Sequence, residues 1–439
     1  AADLLENPAN RRLVIMEQRV VRGGIFDRNG EVLAQTIEEE GEKRRNYPKG
    51  EAMEPLIGYA TIMRGSAGLE AYLGDWLLGV KDATPLQTLQ NTFALPRKGN
   101  DVVLTLDAKL QQVGYEGLKG KIGAAVAVDP RNGEILALVS QPSFDGNNID
   151  EHWNEISKRP GSPFLNHAFA LYPPGSVMKV VTSVGILRAG VDTSDLYQCT
   201  GKTIINGQEI TEQNDRAHGW VNYNLALAKS CNTYFATHGV EGGDKEFLNV
   251  AEGFGFGEKI PFEMPVNRSS ITNAAKIPSS LDDNLLAASA FGQGEVLVSP
   301  FHMALITAGI ANKGVIMKPH IVKQVLDEEQ NILYNAKIEP WLNSLTEEEA
   351  QKVTSAMITA VNNGTAAPGA IQGIQVAAKT GSAEPGGNVP THAWYIAFAP
   401  AENPEIAVAV FVENGGTGGG AAAPTARKMI ETALSQKGR

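Results

Sequence analysis

The sequence predicts a mixed α/β protein in which strands from the two ends of the larger domain share one antiparallel sheet. Three observations predict it. The chain has 439 residues, which at about 150 residues per domain is enough for two or three domains. Apolar, strand-like runs occur near residues 124–139 and return between 374 and 412. Between them, from about 150 to 370, the pattern is helical and broken by glycine-rich loops.

Composition narrows the function classes. Hydrophobic residues make up 43% and charged residues 20%, ordinary globular values that exclude wholesale disorder. Gly 46 and Pro 23 promise many turns. Lys+Arg 38 against Asp+Glu 49 gives a net charge of −11, which argues against nucleic acid as a partner. The two cysteines, Cys199 and Cys231, are too few for a disulfide framework or a cysteine metal site, and their pairing is left open. The seven histidines show no metal-ligand spacing, so no metal ligand is assigned and no cofactor is expected, with metal in the N-terminal domain left open. No run of about 18 apolar residues is present; Val296 to Asn312 comes nearest and is broken by Ser299, Pro300 and His302. The start, Ala1-Ala2-Asp3, has neither Met nor a signal pattern, so any targeting segment or anchor is expected to have been removed or never to have existed.

In chain order, Arg22 to Ala34 reads as a strand pair turning at Asn29-Gly30. The charge run Glu38 to Arg45 reads as a solvated loop. Leu95 to Asn100 marks a boundary, dividing a domain at 1–98 from one at 99–439. Asp107 to Leu118 is helical, and Ala124–Val128 and Ile135–Val139 form a hairpin turning through Asp129 to Gly133, apolar enough for a central place in a sheet. Ser299-Pro300 caps a helix that Asn312-Lys313-Gly314 stops. The end carries strands at Ile374–Ala378, Ala393–Ala399 and Glu405–Val412, then a helix from Pro424 to Gln436.

Three segments carry chemistry. Pro173-Pro174-Gly175 precedes Ser176, and a buried helix follows from Val177, so Lys179 falls on the same face one turn later. Serine needs a base, and lysine serves as one if burial or a second cation keeps it neutral. In Ser230-Cys231-Asn232, Ser230 can relay a proton and Asn232 can hold an amide, although Ser and Asn also suit a plain turn. In Lys379-Thr380-Gly381-Ser382, placed at a strand end, the edge can pair with an extended peptide and the hydroxyls can bind a carboxylate. Gly381 leaves room for a ligand. Gly253 to Gly257 lacks the spacing of a dinucleotide loop, and Gly415 to Gly420 lacks the Lys of a phosphate loop and reads as a mobile loop near the site. His392 reads as structural.

Together and in this order, Ser-x-x-Lys, Ser-x-Asn and Lys-Thr-Gly are the set shared by penicillin-binding proteins and serine β-lactamases. The chain resembles the class B penicillin-binding proteins, monofunctional D,D-transpeptidases of peptidoglycan synthesis. The resemblance extends to Arg22–Ala34, to Gly65-Ser66-Ala67-Gly68-Leu69-Glu70 with Tyr72, to Ala290-Phe291-Gly292-Gln293-Gly294, and to Thr391-His392-Ala393-Trp394-Tyr395. Ala378 stands where glycine is usual, and Ser382 where threonine is common.

The resemblance implies a penicillin-binding/β-lactamase-like transpeptidase domain, with a five-stranded antiparallel sheet flanked by helices, on a non-catalytic, dimerisation-like α+β pedestal. It implies an N-terminal membrane anchor absent from this chain and action at the outer face of the bacterial cytoplasmic membrane. Partners would be stem peptides ending in D-Ala-D-Ala, β-lactams, a membrane glycan polymerase and other cell-wall synthesis proteins. In the implied mechanism Lys179, kept neutral by Lys379, activates Ser176, and backbone N–H groups of Ser176 and Ser382 stabilise the oxyanion. Ser230 protonates the departing D-Ala, Asn232 holds the peptide, and Lys379, Thr380 and Ser382 receive the carboxylate. The alternatives are a β-lactamase or D,D-carboxypeptidase with the same site, or a non-enzymatic β-lactam sensor.

Overall fold

The structure is a computed structural model that describes residues 20–39, 41–81, 97–274, 276–384 and 389–436. Ala1 to Asp3, Glu40 and Leu95-Pro96, on which parts of the sequence reading fall, lie outside the described residues. The chain forms two compact units: Ala1–Gln112 with Pro142–Asn166 and His320–Lys337, and Val113–Gln141 with His167–Pro319 and Ile338–Arg439.

The first unit holds a six-stranded sheet in the order Ile332–Asn335, Val322–Leu326, Asp101–Leu104, Ile25–Phe26, Val32–Glu39, Glu42–Asn46. The turn at Asn29-Gly30 forms as expected: Asp27 Oδ1 accepts from the N–H groups of Asn29 and Glu31 at 2.8 Å each, and Gly30 takes φ +86°. The charged run 38–45 is a hairpin rather than a loop, with Glu39 opposite Glu42 and Glu38 opposite Lys43. Of these two pairs, Glu39 faces a like charge, whereas Glu38 with Lys43 joins opposite charges, which favours the ribbon. One member of it turns inward, because Arg45 Nε donates to the buried Glu70 at 2.6 Å, as does Arg22 Nε. The Arg22-Gly23 and Gly68-Leu69-Glu70 segments are thereby joined through one fully buried carboxylate.

In the second unit the elements run β1 (Gly123–Val128), β2 (Ile135–Gln141), α1 (Lys179–Arg188), α2 (Tyr223–Lys229), α3 (Asn232–Gly242), α4 (Pro300–Ala311), α5 (Glu347–Asn363), β3 (Ala377–Ala383), β4 (His392–Ala399), β5 (Ile406–Val412) and α6 (Ala423–Gln436). The strands form the expected five-stranded sheet, in the order β2-β1-β5-β4-β3, antiparallel throughout. Early and late strands meet where β1 pairs with β5. Every residue of β1, β4 and β5 is buried, and α4 and α6 both pack on these three strands. Helix α4 is buried all round, so it reads as uniformly apolar; Ser299 caps it by accepting from His302 N–H at 3.1 Å.

Four local readings are corrected. Strand β2 is an edge strand, not a central one; its apolar run reports burial of both faces, which an edge strand can share. Lys379, Thr380 and Gly381 lie within β3, not past its end, because the strand continues to Ala383. The 150–370 stretch holds strands as well as helices, including Val322–Leu326 and the pairs Tyr197–Cys199 with Gly219–Val221 and Lys202–Ile205 with Gln208–Thr211. The glycine run at 415–420 passes into a short helix, Gly418–Ala421, whose N-cap Thr417 accepts from Gly420 N–H. No described helix is long and apolar enough to cross a membrane.

Candidate active site

The first motif begins with a turn that only small residues permit. Gly175 sits at φ +55°, and a Cβ there would stand 2.6 Å from the Ser382 carbonyl oxygen. Its N–H donates to Gly292 O at 2.9 Å, and a Cβ on Gly292 would lie 1.8 Å from Gly175 O. Trp394 Nε1 donates to Pro173 O at 2.9 Å and pins the preceding residue. A single 3₁₀ turn, Gly175–Met178, then hands the chain to α1. Ser176 ends partly exposed while Lys179, one turn on, is fully buried.

The second motif lies between α2 and α3. Ser230 is left-handed (φ 60°, ψ 40°), an uncommon conformation for serine that costs on the order of 1–2 kcal/mol. It turns both its hydroxyl and its carbonyl toward Lys179. The third motif lies on β3, at the end of the sheet order, with Gly381 opposite Trp394 and Ser382 opposite Ala393. Thr380 Oγ1 is 2.5 Å from Thr365 Oγ1, a partner that sequence reasoning did not single out.

The three motifs converge on two amines. Lys179 Nζ donates to Ser230 O and Asn232 Oδ1, each at 2.7 Å, and lies 2.9 Å from Ser176 Oγ and 3.2 Å from Ser230 Oγ. A neutral amine has two N–H donors and one lone pair. Those donors are taken by the carbonyl and the amide oxygen, so the lone pair is left for the Ser176 O–H. Lys379 Nζ donates to Ser230 Oγ at 2.9 Å and to Thr380 O at 2.6 Å.

Burial pushes the Lys179 ammonium down to about 8, against the opposing pull of Glu212 and Cys231. Burial, then repulsion from Lys179, pushes Lys379 well below the usual lysine range. The expected cause is thus reordered: desolvation, not the neighbouring cation, is what first favours neutral Lys179.

Glu212 is the residue the sequence reading missed. Its Oε2 accepts from Asn232 N–H at 2.9 Å and its Oε1 from Thr233 N–H at 2.8 Å, so it caps α3 from a distant strand end. Burial would raise its carboxyl, but the Thr233 and Asn232 amides, Lys179 and the Cys231 thiol hold it below the usual carboxylate range. Around it stand Cys199, His218 and Cys231, all with ligand-capable atoms within 4.8 Å of one another. Both cysteines are free and buried. The expectation that two cysteines are too few for a cysteine metal site counted cysteines alone; the fold adds a His and a Glu from the segment that joins them. His392 accepts from Asn414 N–H at 3.1 Å, as a structural residue does.

The penicillin binding protein transpeptidase domain matches residues 123–431, and the penicillin binding protein A dimerisation domain matches residues 22–102. The chain is 33% identical over 468 residues to the peptidoglycan D,D-transpeptidase PbpA of Mycolicibacterium smegmatis, covering 99% of this chain and 94% of that one. It is similar to a ceftriaxone acyl-enzyme complex of penicillin-binding protein A from M. tuberculosis, with TM-score 0.89 and 31% identity over 96% of this chain and 100% of that one. A D,D-transpeptidase domain from Eggerthella lenta gives TM-score 0.85 and 30% identity over 96% of this chain and 99% of that one.

Proposed function

Because the chain belongs to the penicillin-binding protein transpeptidase family, we infer that it is a serine-type peptidoglycan D,D-transpeptidase acylated by β-lactams. The observation that carries the mechanism is the 2.9 Å contact of Lys179 Nζ with Ser176 Oγ, made by an amine whose donors are already engaged.

In the proposed cycle Ser176 loses its proton to Lys179 as Oγ attacks the carbonyl of the penultimate D-Ala of a stem peptide. The donor peptide lies along the outer edge of β3 as an added strand. Backbone N–H groups of Ser176 and Ser382 receive the developing oxyanion, an interaction typically worth about 3–4 kcal/mol per donor. Ser230, within hydrogen-bond reach of both lysines, carries the proton to the departing D-Ala. Asn232 holds the peptide amide, and Lys379, Thr380 and Ser382 take the terminal carboxylate, with Gly381 leaving clearance. The amine of a second stem peptide then resolves the acyl-enzyme and forms the crosslink.

Transfer rather than hydrolysis is favoured by the state of Glu212. A deacylating water needs a base, and the carboxylate bonded into this site already accepts from two helix N–H groups. The further proposals are that residues 1–98 serve as a non-catalytic pedestal to the 99–439 transpeptidase domain, that a membrane glycan polymerase is its partner, and that an anchor holds the protein at the outer face of the cytoplasmic membrane.

A thioester analogue of the stem peptide, offered with a D-amino acid as acceptor, tests the reaction class by mass spectrometry of the products. Transfer product exceeding hydrolysed donor is expected. Hydrolysed donor alone would move the assignment to a carboxypeptidase.

A further inference from the structure

Thr365 and Thr380 meet hydroxyl to hydroxyl, with their Oγ1 atoms 2.5 Å apart. Thr380 is buried on β3, whereas Thr365 is exposed, lies just past the end of α5 and belongs to none of the three motifs. Backbone ties fix it there. Its N–H donates to Ala228 O at 3.0 Å, in the last turn of α2, shortly before Ser230. The next residue, Ala366, donates its N–H to Ala360 O of α5 at 3.0 Å. Ala366 O accepts from the Tyr395 hydroxyl at 2.8 Å, and Tyr395 stands opposite Thr380 in the pairing of β4 with β3. The meeting of the two hydroxyls is therefore set by the fold on both sides.

A hydroxyl has one proton to give and two lone pairs with which to accept. Only one proton can lie between Thr365 and Thr380, and its owner decides what Thr380 can do. If Thr380 gave its proton to Thr365, it would have none left for a ligand carboxylate. If Thr365 gives, Thr380 accepts and its own O–H stays free. Distance decides between the two. The alternative acceptor for Thr365 is Ala228 O, 3.4 Å from its Oγ1 and already bonded to its N–H. That lies beyond the usual O–H···O range of about 2.5–3.0 Å, so the Thr365 proton belongs in the short contact.

We propose that Thr365 is a positioning residue that donates to Thr380 and so reserves the Thr380 O–H for the terminal carboxylate of a donor peptide or β-lactam. The proposal deepens the transpeptidase reading and rests on it. Two hydroxyls in series polarise one another, and the second then donates to an anion, which strengthens that bond. No proton is transferred; Thr365 only sets which way the hydroxyls point. An uncharged group in the same place gains much less from a directed donor. Thr365 therefore acts on specificity, raising the preference for a free carboxylate over a neutral end. Its tie to Ala228 places the same residue against the helix that leads into Ser230, so one segment holds both the carboxylate donor and the approach to the relay hydroxyl.

Benzylpenicillin and its methyl ester differ at the carboxylate alone, and so test this on the full chain. Acylation at sub-saturating ligand is followed by intact mass in the wild type, Thr365→Val and Thr365→Ser. Thr365→Val should slow the acid about tenfold and the ester by less than about twofold. Thr365→Ser, which keeps the hydroxyl, should hold the wild-type ratio of acid to ester. Both ligands are read on one preparation, so the ratio stands even where Thr365→Val folds only in part. An acid-to-ester ratio in Thr365→Val equal to that of the wild type would overturn the proposal and leave Thr365 a structural tie. A ratio in Thr365→Ser as low as that in Thr365→Val would overturn it as well. A wild type acylated by neither ligand would instead remove the transpeptidase reading beneath it, so the two failures are told apart.

Discussion

Lys179 and Lys379 share one acceptor: Ser230 Oγ lies 3.2 Å from the first Nζ and 2.9 Å from the second. Both amines are fully buried. Burial out of water pushes both amines toward the neutral form, and Lys379 is pushed further by repulsion from Lys179. The same relation gives the site a proton path, from Ser176 through Lys179 and Ser230 to the leaving group.

That relation sets the pH dependence. With Lys179 held near 8, its base form is lost as pH falls below that value. Acylation by a penicillin at sub-saturating concentration should level off above about pH 8 and fall about tenfold per unit below it. Lys179→Arg, permanently protonated, should acylate about 10²–10⁴ times more slowly and lose this profile. Stopped-flow acylation from pH 6 upward checks both, and a flat profile in the wild type would remove Lys179 as the base.

The Ser176 turn is held by backbone contact, so glycine matters where it is approached. Gly292 sits at φ +82°, with Gly175 O only 1.8 Å from where a Cβ would stand. Gly292→Ala should cost about 2–5 kcal/mol, the sum of a left-handed alanine and a displaced backbone. Urea denaturation should show this as a lowered midpoint, and acylation should slow as Ser176 shifts. An unchanged midpoint would mean that the turn is less constrained than described.

Glu70 holds two guanidinium groups in the interior of the first unit, at 2.6 Å from each Nε. Glu70→Ala leaves Arg22 and Arg45 buried without their carboxylate, a change that costs about 3–5 kcal/mol. Hydrogen exchange should show loss of protection in the strands at 25–46, and their unchanged protection would contradict the role assigned to Glu70.

The sequence and the structure part company in instructive places. The Ser176, Ser230 and Lys379 motifs were legible because each is a short run whose residues act from one turn or strand. The Ser299 cap and the buried α4 were legible because capping and continuous hydrophobicity are local. Glu212 was not, because it reaches α3 from a strand end that is distant in sequence, and no local pattern encodes that contact. Cys199 and His218 were missed for the same reason. The Glu38–Arg45 hairpin was misread because charge density mimics a loop when cross-strand pairing is what organises it. The edge position of β2 was hidden, since burial of both faces does not report neighbours in the sheet.

The central claim is that Ser176 is the acylated nucleophile in a site that withholds water from the acyl-enzyme. Intact mass of the protein incubated with a penicillin over hours, followed by peptide mapping, tests it most directly. The account predicts one persistent adduct, located on Ser176 and absent from Ser176→Ala. An adduct on another residue, or one that vanishes with turnover of excess drug, would contradict it.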